Sequence, residues 1–213
     1  MISGIVFDMD GVLFDTENLA LDSWKYAGEK LSINFSRELT IPTTGFNAKM
    51  TGEYLKENIG DFDYDKAMLY RQEYITSYIE KNGVPEKKGL KEILSYLSDK
   101  KILLAVATSA DRQKAESFLN LAGIYRFFDS ILCSDQIEKP KPAPDIYVKS
   151  CKKLGLKPEN CLAVEDSYVG MKAAFDANMK PIMIPDLLPP NEDMERMAYA
   201  IFPDLLALKT LVR

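Results

Sequence analysis

The 213 residues contain no histidine. That absence removes Ser-His-Asp and Cys-His nucleophile systems, histidine-ligated metals and histidine general bases. Proton transfer must then fall to carboxylates, lysine, tyrosine or cysteine. Cysteine is scarce as well. Cys133, Cys151 and Cys161 are an odd number at scattered spacings, which fits buried thiols in a reducing cytosol better than a disulfide framework or a zinc site. Long apolar runs are missing: residues 102–107 (ILLAVA) are strand-length, far short of the roughly 18 residues of a membrane span. No basic segment precedes an apolar stretch at the N-terminus, so no secretory signal is expected. Positive charge is not in surplus either, with 27 Lys and Arg against 32 Asp and Glu and a net charge of -5. Phosphate backbones are bound by clustered Lys and Arg, whereas the local lysine pairs (Lys139 with Lys141, Lys152 with Lys153) have acidic neighbours. The expectation is a cytoplasmic monomer with neither nucleic-acid nor membrane partners.

What is present is ordinary in amount, 46% apolar and 28% charged, and informative in order. Residues 2–7 (ISGIVF) read as a buried strand ending at Asp8. Residues from 16 to about 30, and from about 47 to 82 with a break at Gly60 and Asp61, read as helices carrying Tyr54, Tyr64, Tyr70, Tyr74 and Tyr78. These tyrosines are taken as packing residues. From Gly89 the rhythm alternates: helix 90–99, strand 102–107, helix 111–121, strand 129–133, helix 143–154, strand 161–165, helix 167–178, strand 181–184 and a closing helical tail. Strands alternating with helices of this length imply right-handed βαβ units and a parallel, doubly wound sheet with the first strand central. The expected fold is α/β: a Rossmann-like parallel-sheet core from 1–15 and 87–213, with a helical cap domain inserted at 16–86. No internal repeat or low-complexity tract interrupts it.

In open α/β sheets ligands bind beyond the carboxyl ends of the strands, so the residues that follow each strand carry the chemistry. Asp8 and Asp10 follow the first, two apart, so both can face one pocket. One carboxylate can attack phosphorus to form an aspartyl-phosphate; the other can protonate the leaving oxygen and then activate water. Gly11 permits the sharp turn after them. The rival reading of D-x-D-G is a surface turn, which fits poorly with a buried strand running straight into it. Two acids would repel a phosphate dianion without a cation, and Mg²⁺ suits an oxygen-only site. Asp166, or less directly Glu165, follows the fourth strand and can complete that site, against the alternative that Asp166 or Ser167 only caps the next helix. Thr108 and the Ser109 backbone N–H follow the second strand and can hold phosphate oxygens at a helix N-terminus; helix capping by Ser109 or Asp111 competes with that use. Lys141 or Lys139, both next to prolines in the loop after the third strand, can neutralise the phosphoryl group, or be solvated surface lysines. Asp15 is read as a helix cap or a supporting residue.

These four stations resemble the haloacid dehalogenase-like superfamily of phosphatases and phosphomutases over essentially the whole chain. The matching segments are FDMDGVLFDTE at 7–17, VATS at 106–109, KPAPDIY at 141–147 and VEDSYVG at 164–170. The resemblance favours Lys141 over Lys139. It implies that Asp8 is the nucleophile and Asp10 the general acid and base, and that the metal is held by the Asp8 carboxylate, the Asp10 backbone carbonyl and Asp166, with Glu165 adjacent. It also implies that the helical insert is a small cap domain. Dehalogenases lack the second aspartate of the first motif, so Asp10 points to phosphoryl transfer. The D-G-V and E-D-S forms look most like the β-phosphoglucomutase-like subgroup. Sugar phosphomutases there carry a cap histidine where this chain has Ala20, and an arginine in the stretch corresponding to 45–49, where only Lys49 is cationic. Arg71, on a cap helix, is a further substrate-facing cation. The expected function is hydrolysis of a small phosphorylated metabolite with Mg²⁺. A sugar phosphomutase is the alternative. A phospho-accepting signalling domain is remoter, since such domains lack a cap and carry the acceptor on a later strand.

Overall fold

The computed structural model describes residues 2–44 and 48–212. The chain forms two compact units, one from residues 1–15 and 86–213, the other from residues 16–85. In chain order the elements are β1 (Gly4–Phe7), α1 (Thr16–Leu31), α2 (Arg37–Thr40), α3 (Ala48–Ile59), α4 (Tyr64–Asn82), α5 (Leu90–Asp99), β2 (Leu103–Ala107), α6 (Arg112–Leu121), β3 (Ser130–Leu132), α7 (Asp145–Leu154), β4 (Cys161–Glu165), α8 (Tyr168–Asp176), β5 (Lys180–Met183), α9 (Glu192–Met197) and β6 (Ala200–Ile201).

The larger unit is built on one sheet with strand order β3-β2-β1-β4-β5-β6, and every pairing is parallel. β1 and β4 are buried along their whole length, as strands covered on both faces must be. The helices present apolar stripes to it: α5 buries Leu90, Ile93, Leu94 and Leu97, the spacing of one helical face. Val6, Ala105, Ala163, Tyr147, Cys151 and Ala174 belong to one continuous core cluster. All three cysteines are buried free thiols. The tail after β5 is helical at α9 and again in a 3-10 helix at Leu205–Thr210. Between the two, residues 200–201 add a sixth strand beyond the expectation, pairing Ile182 with Ala200 and Met183 with Ile201. Two residues are too few to carry a period, so backbone pairing at the sheet edge decides their state.

The smaller unit is helical. Its core joins Trp24 and Ala27 of α1 to Phe35, Leu55 and Ala67, with Tyr54, Phe62, Tyr64 and Tyr70 packed around them. Trp24 lies 4.9 Å from Phe35, which meets Phe62 edge-on at 5.3 Å. Asp63 caps α4 by accepting a bond from the Lys66 N–H. No described helix of either unit is long and apolar enough to cross a membrane.

Candidate active site

The register of the sheet gathers the site. Phe7 pairs with Val106 on one side and Val164 on the other, so Asp8, Thr108 and Glu165 all emerge at the same carboxyl edge. The Asp8 N–H donates to the Val164 carbonyl at 2.9 Å, extending that pairing by one residue. Asp8, Thr108 and Glu165 are buried.

Lys141 is the hub. Its side chain is 4% exposed, and its Nζ lies 2.5 Å from Asp8 Oδ1 and 2.7 Å from Glu165 Oε1, also donating to the Ala107 carbonyl at 3.0 Å. Glu165 has further partners: Oε1 also accepts from the Tyr147 hydroxyl, and Oε2 accepts from Ser167 Oγ at 3.2 Å. Ser167 at the same time caps α8 by accepting from the Gly170 N–H. Burial pushes the Asp8 carboxyl up to about 7, against the pull of Lys141 and with a further push from Glu165. Burial alone would lower Lys141, but Asp8 and Glu165 outweigh it and hold the ammonium charged well above the ordinary lysine range.

Oxygens of Asp8, Glu165 and Asp166 lie within 4.8 Å of one another, a group that could hold a metal ion. The Asp166 carboxylate packs directly against Gly11. Gly11 has φ +81°, and a Cβ there would lie 2.0 Å from Asp166 Oδ2, so any side chain would be strained and would push the carboxylate away. The Asp10 carboxylate is not in this group; Lys114 Nζ sits 3.1 Å from each of its oxygens. Thr108 Oγ1 accepts from the Ala110 N–H at 3.0 Å, leaving its own hydrogen to donate elsewhere. Ser109 is exposed, and Asp111, not Ser109, caps α6, accepting from Lys114 N–H at 2.8 Å.

A family described as haloacid dehalogenase-like hydrolase matches residues 5–184. The chain belongs to it. This hydrolase is 29% identical over 187 residues to the phosphorylated carbohydrates phosphatase of Thermotoga maritima, a match covering 85% of this chain and 84% of that one. It is 32% identical over 190 residues to the chloroplastic protein Suppressor of Quenching 1 of Arabidopsis thaliana, covering 86% of this chain but only 18% of that much longer protein. Among solved structures, a candidate β-phosphoglucomutase from Thermotoga maritima superposes with a TM-score of 0.83 at 25% identity, covering 99% of this chain and 98% of that one. The enzyme therefore has a Rossmann-like core of the haloacid dehalogenase type.

Of the residues singled out in the sequence, Asp8, Asp10, Thr108, Ser109, Lys141, Glu165 and Asp166 lie at one edge of one sheet. Lys49 and Arg71 belong to the helical unit. Lys49 is exposed on α3, 3.8 Å from Glu53. The stretch 45–47 read with it lies outside the described residues. Arg71 is stacked 4.1 Å from the centroid of Trp24, donates Nε to Ser23 Oγ at 3.0 Å, and is pulled down to about 10 by burial. It lines a cavity of about 130 Å³ together with Glu17, Ala20, Trp24, Thr43 and Thr51. Sequence reasoning gave no role to Lys114 or Tyr147. Tyr147 closes the segment KPAPDIY at 141–147, six residues after Lys141, and that placement is its signal. Lys114 had a weaker one, in that its helix opens beyond the end of β2.

Proposed function

We propose that the chain is a Mg²⁺-dependent phosphatase acting on small phosphorylated carbohydrates or similar phosphomonoesters through an aspartyl-phosphate on Asp8. The observation that carries this reading is Asp8 held 2.5 Å from the buried Lys141 ammonium, with carboxylate oxygens of Asp166 and Glu165 within 4.8 Å. The oxygen-only donor set fits Mg²⁺. Asp8 and Asp166 are the side chains that would hold it, with the Asp10 backbone carbonyl and with Glu165, which also accepts from Lys141, Tyr147 and Ser167, beside them. When bound, Mg²⁺ supplies charge neutralisation for a phosphate dianion approaching two carboxylates.

In the first transfer an Asp8 oxygen attacks phosphorus, the bond to the ester oxygen breaks, and Asp10 gives that oxygen a proton. In the second, Asp10 takes a proton from water as the water oxygen attacks phosphorus. The bond to Asp8 breaks, its electron pair returns to the carboxylate, and inorganic phosphate leaves. Thr108 Oγ and the Ser109 N–H hold non-bridging oxygens, and Lys141 offsets the charge that gathers on them. Glu165 orients Lys141. Lys49 and Arg71 are the substrate-binding candidates of the helical unit, which acts as the cap domain. The protein works as a cytoplasmic monomer.

A mutase reading is favoured by the likeness to a candidate β-phosphoglucomutase and opposed by Ala20, where such enzymes carry a cap histidine. One experiment tests both. On β-glucose 1-phosphate with a trace of sugar bisphosphate, free phosphate should outrun glucose 6-phosphate, and Asp8→Asn should abolish release while leaving the circular dichroism spectrum unchanged. Faster glucose 6-phosphate formation would replace hydrolysis by isomerisation. Substantial turnover in folded Asp8→Asn would remove the nucleophile assignment.

A further inference from the structure

We propose that Lys114 is a positioning residue for Asp10, holding its carboxylate by both oxygens in the orientation from which Asp10 serves the leaving oxygen. This rests on the proposed roles of Asp8 and Asp10. Lys114 Nζ is equidistant, at 3.1 Å, from Asp10 Oδ1 and Oδ2. One ammonium placed symmetrically against both oxygens restrains the rotation of the carboxylate about its last bond more tightly than a contact to a single oxygen.

Lys114 is itself supported in a way that neutralising a surface charge does not require. Its backbone N–H is the donor to the Asp111 cap, which fixes the first turn of α6. Its ammonium lies 5.3 Å from the centroid of Phe118, one turn further along the helix. Phe118 meets Phe14 edge-to-face at 5.9 Å and 87°. Phe14 returns to the starting point: its carbonyl accepts from the Gly11 N–H at 2.9 Å, and it forms a β-bridge with Asp10. The contacts close a ring from Asp10 through Lys114, Phe118 and Phe14 to the loop that carries Asp10, wholly inside the larger unit. Lys141 is separate, engaged with Asp8 and Glu165. The two lysines thus divide the labour, one on the nucleophile and one on the proton carrier.

The test is leaving-group dependence. kcat/KM reports the first transfer, in which the ester oxygen departs. A sugar phosphate needs that oxygen protonated, whereas p-nitrophenyl phosphate expels a stabilised phenolate with little help. K114M keeps the stem over Phe118 and removes the charge; K114R restores a cation able to grip both oxygens. On a sugar phosphate turned over by the wild type, K114M should lower kcat/KM by about 100-fold, the cost of misplacing a catalytic group by about 1 Å. On p-nitrophenyl phosphate the loss should stay within about threefold, and K114R should recover most of the loss on the sugar phosphate. Equal losses on both substrates, or a loss confined to KM, would assign Lys114 to substrate binding or to general electrostatics and overturn the proposal. D10N on the same pair separates the two levels. If it discriminates between leaving groups and K114M does not, only the positioning role fails. If D10N treats both substrates alike, the acid role of Asp10 fails and the Lys114 role falls with it.

Discussion

Replacing Gly170 by alanine should invert an ordinary expectation. In a helix interior, glycine to alanine gains roughly 1 kcal/mol. In α8 the added methyl would lie 1.9 Å from Glu165 Cδ and 2.0 Å from each of its oxygens. Glu165 has nowhere to go, since it is fully buried and held by Lys141, Tyr147 and Ser167. Overpacking of this kind costs about 1–3 kcal/mol. Breaking one side of a buried ion pair costs up to about 3–5 kcal/mol, but Lys141 keeps Asp8, so the lower part of that range applies. After the propensity gain is subtracted, the net loss is about 3–5 kcal/mol, which lowers Tm by roughly 6–20 °C in a chain of this length. Thermal unfolding followed by far-UV circular dichroism reads the loss, and turnover should fall with it because Lys141 loses the carboxylate that orients it. Trp24, the only tryptophan, lies in the helical unit and gives that unit its own signal. A Gly170→Ala protein as stable as the wild type, with unchanged kcat, would show that Glu165 has room and that the close approach constrains nothing.

Asp166→Ala should raise the Mg²⁺ needed for half-maximal rate at least about tenfold while the half-buried site costs little stability; a stability loss with an unchanged Mg²⁺ requirement would leave Asp166 a purely structural residue. Chelation with EDTA should stop turnover and added Mg²⁺ restore it, with Ca²⁺ a poor replacement because it prefers looser, higher coordination; full activity after chelation would refute the metal assignment. Asp111→Ala should remove about 1 kcal/mol as a lost helix cap and, by loosening the turn that carries Lys114, slow sugar phosphates more than p-nitrophenyl phosphate; equal slowing would disconnect the cap from Asp10.

The parallel core was legible because its central strands announce themselves. GIVF and CLAV are unbroken apolar runs, each followed by an acid, and runs of that kind are buried between two layers of helices. β6 was not legible, because Ala200 and Ile201 owe their state to the exposed backbone of β5 and not to any pattern of their own. The acids and lysines of the site could be recognised from their places after strands, but their division of labour could not. Glu165 and Asp166 are neighbours in sequence. Only the fold shows that Glu165 accepts from a lysine and two hydroxyls, while Asp166 packs against Gly11. Lys114 stayed hidden for a similar reason. Its link to Asp10 spans a hundred-odd residues and depends on how α6 packs on the loop of Phe14.

The pairing of Phe14 with Glu86 in an antiparallel bridge, reinforced by the Lys87 N–H to the Leu13 carbonyl at 3.0 Å, has a bearing on how the chain reaches its native state. β1 must find β2 across about a hundred intervening residues, and the entropy of closing a loop grows with the logarithm of its length. A helical insert that condenses first brings its own ends together and removes most of that length, leaving an effective loop of about thirty residues and lowering the closure cost by about 1 kcal/mol. That is close to a sixfold faster search at the same intrinsic strand affinity. The insertion is then an accelerator of sheet assembly, and a core whose insert has been loosened by mutation would assemble slowly even though every strand of it is intact.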